Sequence, residues 1–140
     1  MIKRKSFTLI ELVVCLAIIS VMVMVVRVNF VNNKKTIANE ELYLIAESIE
    51  NAKVFSIENN KIVKLKSDST KETFEISSGE FVFKKIYCKH LNILNDIELE
   101  INTNGIPSVG KTFKFSYDKQ NFEIRIRPVT GFVNVIKNEK

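Results

Sequence analysis

Apolar and polar positions follow three different rhythms along this chain. From Phe7 to Val26, 17 of 20 residues are apolar, interrupted only by Thr8, Glu11 and Ser20, and Arg27 closes the run. An unbroken run of that length predicts a helix, and 20 residues at about 1.5 Å each reach across the roughly 30 Å of a bilayer's hydrocarbon core. Asn29 to Lys35 is polar. A three- and four-residue spacing then takes over at Leu42, Ile45, Ile49 and Ala52, with Glu40, Glu41, Glu47 and Glu50 between them. That spacing predicts an amphipathic helix with one buried stripe, ending near Asn59-Asn60. If it is continuous from Phe7 to about Ser56, the helix is roughly 75 Å long.

From Lys61 the period becomes two. Segments 62–66, 72–76, 81–83, 97–101, 113–117 and 122–127 mostly alternate apolar with polar residues, the pattern of strands with one buried face. Ser78-Gly79, Asn104-Gly105 and Asp118 to Asn121 provide turn chemistry between them. The predicted fold is α+β, a long N-terminal helix packed on a small antiparallel sheet domain. Its organisation is a membrane-spanning segment over 7–27, an amphipathic continuation over 28–60 and a β head over 61–140.

Composition changes this picture in two places. The chain has 140 residues, 46% of them apolar and 26% charged, with a net charge of +5. These values exclude a disordered or collagen-like chain, and the length allows one domain of ordinary size. Lys3, Arg4 and Lys5 directly precede the apolar run, so the segment is expected to run from inside to outside, with the C-terminal domain exported. A secretory signal peptide has a shorter apolar region and a small-residue cleavage site, and neither occurs around Arg27-Val28-Asn29-Phe30. Cys15 and Cys88, one in the apolar run and one far outside it, do not form a disulfide framework.

Glu11 is the chemically informative residue of the run. A carboxylate at mid-membrane costs about 2.5 to 3.5 kcal/mol, although a helix N-terminus and snorkelling reduce that cost. The string Lys5-Ser6-Phe7-Thr8-Leu9-Ile10-Glu11-Leu12-Val13-Val14 resembles the processing site of type IV pilins and pseudopilins. The resemblance implies that residues 1–6 are a leader with Lys3, Arg4 and Lys5 as its charges. It implies cleavage between Ser6 and Phe7 by prepilin peptidase, N-methylation of Phe7, and pairing of Glu11 with the N-terminal amine of a neighbouring subunit during assembly. An ammonium and a carboxylate taken together into an apolar core are each less costly than either alone.

Two positions depart from the family pattern. Ser6 stands where Gly is usual, and Val28 stands where a Pro is often found, so a straighter first helix is expected. Near the C-terminus, Asn102 to Pro107 reads as a hairpin. Arg127-Pro128-Val129-Thr130-Gly131-Phe132-Val133-Asn134-Val135 resembles the closing segment of H-type minor pseudopilins and their minor-pilin relatives, with Phe132 where Arg is frequent.

Three further motifs carry possible chemistry. Gly105-Ile106-Pro107-Ser108-Val109-Gly110-Lys111-Thr112 satisfies a phosphate-loop pattern, but that chemistry needs a helix after the loop, and Phe113 to Tyr117 alternates as a strand. Cys88 and His90 lack further metal ligands nearby, and no orienting acid is apparent. Lys84, Lys85 and Lys89, with Arg125 and Arg127, are the candidate DNA contacts. No catalytic constellation, cofactor or metal site is expected.

The expected function is therefore that of a structural minor pilin or pseudopilin, carried out of the cytoplasmic membrane into a filament-like machine. Its expected partners are prepilin peptidase, other pilins, an assembly platform protein and an ATPase, with a place at or near the tip where assembly begins. Lys outnumbers Arg 17 to 4, a sign of an AT-rich genome that favours a competence pseudopilus or type IV pilus. The alternatives are a type II secretion minor pseudopilin and a DNA-binding minor pilin. Loss of the leader would lower the charge from +5 to +2, so most of the basic excess belongs to orientation and processing.

Overall fold

The computed structural model describes residues 9–138, with the side chains of residues 25–33 excepted. The first element is α1, Leu9–Asn59. The chain divides into two compact units, Met1–Thr36 and Ile37–Lys140, so α1 begins in the first and ends in the second.

In the second unit, Ala38, Leu42, Ile45, Ile49 and Ala52 form the buried stripe of α1. The helix ends because Asn60 takes a left-handed conformation, φ 51°. Its N–H donates to the Ile57 carbonyl at 3.4 Å and that of Lys61 to the Ser56 carbonyl at 3.1 Å, which satisfies carbonyls that the helix itself leaves open. Asn tolerates that conformation better than other residues with a Cβ, hence the stop where the sequence predicts it.

Eight strands follow: β1 Val63–Asp68, β2 Thr73–Ser78, β3 Phe81–Tyr87, β4 Asn92–Ile93, β5 Ile97–Ile101, β6 Lys111–Tyr117, β7 Gln120–Ile126 and β8 Val133–Asn138. All their pairings are antiparallel. The predicted sheet is in fact two four-stranded sheets, ordered β3-β2-β1-β5 and β4-β6-β7-β8. The N-terminal helix and both sheets share one hydrophobic core, an α+β arrangement. Phe74 on β2 and Phe113 on β6 meet edge to face at 5.2 Å and bind the two sheets together.

β3 differs from its predicted alternation. It is a sheet edge, its pairing with β2 shifts register at Ile76/Ser77, and Phe81 is 70% exposed. The shift sets one extra residue against β2, which breaks the two-residue rhythm. Phe83 nevertheless reaches α1, stacking on Phe55 at 4.8 Å.

Candidate functional site

The described part of the first unit has one dominant property. Every large apolar side chain from Leu9 to Met24 is exposed, by 51% to 83%. Residues of every helix face are included, so no stripe is turned inward. Covering such side chains gains roughly 1.5 to 3 kcal/mol each, and their sum rivals the net stability of a whole domain. A helix apolar all round is stable only in an apolar environment, lipid or other helices. Its few polar groups do not alter that. Ser20 returns its hydroxyl to the Leu16 carbonyl at 2.8 Å, and Glu11 stands in the first turn, where the helix N-terminus favours a carboxylate.

Among the described residues no helix is long and apolar enough to cross a membrane. The predicted span, Phe7 to Val26, extends past them: Phe7 and Thr8 lie outside the described residues, as do the side chains of Val25 and Val26. Lys3, Arg4, Lys5 and Ser6 lie outside them as well, and so does the Val28 side chain.

Elsewhere the structure assigns partners to the residues singled out by sequence. Cys88 and His90 do have an acid beside them: Glu41 of α1, distant in sequence. Its carboxylate accepts the N–H of Lys89 at 3.2 Å and those of His90 and Leu91 at 3.1 Å, and lies 3.1 Å from His90 Nδ1. Burial acts to raise this carboxyl, but the His90 contact and the three amides outweigh it and hold it below the ordinary value. Burial, with the charges of Glu41 and Glu72, pushes the Cys88 thiol up to about 12. A thiol so held stays protonated and is a poor nucleophile. Glu41 thus anchors a loop. Nothing in its spacing from Cys88 and His90 marks it in the sequence.

The phosphate-loop pattern has no helix after it. Lys111 and Thr112 open β6, and Lys111 Nζ donates to the Glu98 carbonyl at 2.8 Å. The turn before it is built on Gly105, whose φ is 73° and where a Cβ would come within 2.7 Å of Ile57 Cδ1.

The candidate DNA-contacting residues fall on different sheets. Lys84 and Lys85 are on β3 with Lys89 just beyond, whereas Arg125 is on β7 and Arg127 follows it. Lys85 pairs with Glu75 at 3.2 Å and Arg125 with Glu123 at 3.1 Å, and Arg127 lies over the Phe132 ring at 5.8 Å. Each of these contacts neutralises or occupies a cation that a phosphate backbone would need.

No curated protein and no solved structure matches the chain. Residues 1–26, which lead into and include the exposed apolar helix, match the family model of the Prokaryotic N-terminal methylation motif, typical of type IV pilins and pseudopilins.

Proposed function

We propose that this chain is a non-enzymatic, structural subunit of a type IV filament-like machine. The observation that carries the reading is the continuity of the methylation motif with a helix that is apolar on every face. A motif for trimming and methylating an N-terminus is useful where that terminus must enter an apolar core, and the helix that follows supplies such a core when copies bundle. In this reading prepilin peptidase cuts between Ser6 and Phe7, Phe7 is N-methylated, and Lys3, Arg4 and Lys5 hold the leader in the cytoplasm. The segment from Phe7 to Arg27 spans the cytoplasmic membrane until a platform protein and ATPase drive the subunit into the filament, its head outside.

The H-type resemblance of residues 127–135 supports a minor subunit that acts early, at or near the tip. The lysine-rich composition supports a competence pseudopilus or type IV pilus over type II secretion. DNA binding at Lys84, Lys85, Lys89, Arg125 and Arg127 is the less supported role, since three of the five cations already have side-chain partners.

The test is assembly in a host that has the peptidase and in one that lacks it. The chain is expected in the sheared filament fraction only in the first. Glu11→Ala is expected to leave cutting unchanged while lowering recovery in that fraction about a hundredfold or more, the effect of leaving one buried charge unpaired at about 3 to 5 kcal/mol. Normal recovery of Glu11→Ala would remove the pairing role. Equal recovery without the peptidase would overturn the proposal.

A further inference from the structure

The second unit exposes two surfaces of opposite charge. On α1, the face away from the core carries Ile37, Glu40, Leu44, Glu47 and Val54, all exposed and spaced so that apolar and acidic residues alternate. Neither Glu40 nor Glu47 has an ion-pair partner among the described residues. At the sheet edge, β3 exposes Phe81, Val82 and Tyr87, Lys89 is exposed two residues beyond the strand, and Lys84, opposite Ile76, is half-buried. Lys84 and Lys89 likewise lack an ion-pair partner among the described residues. Because β3 ends its sheet, its outer backbone groups have no neighbouring strand.

We propose that the acidic apolar face of α1 in one copy docks on the lysine-bearing β3 edge of a second copy. The two surfaces match in chemistry: each mixes exposed apolar residues with charge, carboxylates on one and ammonium groups on the other. Within one chain their apolar residues Ile37, Leu44, Val54, Phe81, Val82 and Tyr87 remain exposed. The surfaces differ, so each docking leaves an α1 face and a β3 edge free for further copies. A contact of that kind continues instead of closing, as a filament requires. This inference rests on the filament-subunit reading and adds which faces of neighbouring heads meet.

The test uses the full chain in phospholipid vesicles, with heavy-isotope and light-isotope copies mixed and a zero-length carbodiimide to join carboxylates to amines. Mixed-isotope links are expected from Glu40 or Glu47 to Lys84 or Lys89. Lys84→Glu with Lys89→Glu is expected to lower links from Glu40 and Glu47 to the remaining β3 amine, Lys85, about tenfold, and adding Glu40→Lys with Glu47→Lys to restore mixed-isotope links between positions 40 or 47 and 84 or 89, with amine and carboxylate exchanged. Rescue by the four-fold variant separates a docking effect from damage to the fold. Absence of mixed-isotope links, or their indifference to charge reversal, overturns the proposal. So does their loss when duplex DNA is added and shields Lys84 and Lys89, which would make DNA the occupant. Peptidase cutting, measured on the same chain, keeps the two ideas apart: a cut chain without links sinks the docking alone, and a linked chain that is never cut sinks only the filament reading.

Discussion

Glu41 is the residue on which most local structure converges, because one carboxylate closes a loop through three amides and an imidazole. Its pKa is depressed in the folded state, so the stability it contributes is full above its unfolded value, near 4.5, and is lost as pH falls through the lower folded value. The thermal midpoint of the head is expected to fall with acidification in that window, and Glu41→Gln to flatten the dependence. Asp96, lowered chiefly by the Ser69 N–H, adds acid sensitivity of the same sign, so the difference between wild type and variant isolates Glu41. A midpoint profile unchanged by Glu41→Gln would contradict the anchoring role. Val129 is strained in a different way. A β-branched residue at φ 72° in a three-residue turn, with Thr130 N–H donating to the Pro128 carbonyl at 2.8 Å, is costly. Val129→Gly is expected to raise unfolding free energy by about 1 kcal/mol in denaturant titration.

Between elements, the joint that holds the two sheets in register is polar as well as aromatic. Asn95, in the link between β4 and β5, donates Nδ2–H to the Thr112 carbonyl at 3.0 Å and accepts the Lys114 N–H at 2.9 Å. Asn95→Ala leaves both backbone groups without these partners and is expected to cost about 1 to 3 kcal/mol, read as a lower denaturant midpoint with unchanged slope. Sequence makes some of this visible. The buried stripe at Leu42, Ile45 and Ile49, the stop at Asn60 and the alternating strands are local in origin, and a local pattern suffices to find them. The division into two sheets is not local: Phe74 and Phe113 have the same apolar signature whether their strands share a sheet or face across a core. The two-residue β4 is too short for a period, and the register shift at Ile76/Ser77 disguises β3. Glu41 looks like any surface glutamate of an amphipathic helix until the fold brings the loop 88–91 against it.

At the scale of the whole chain, a methylation motif leads into an apolar helix, and the unit that follows from Ile37 has one core, built from α1 and both sheets. The buried apolar residues of the second unit, those of α1 from Ala38 included, form a single cluster, whereas the helix from Leu9 to Met24 exposes all of its large ones. That contrast is the physical support for the proposed subunit, in which residues 9–24 are covered by something other than the core of residues 38–126. The methylation motif is readable from Lys5 to Val14 because its chemistry is carried by contiguous residues. The direct measurement is the intact mass of the chain purified from cells with an active prepilin peptidase. The account predicts a product lacking Met1 to Ser6 and beginning with an N-methylated Phe7. A chain that retains Met1, or one cut far from Phe7, would contradict it.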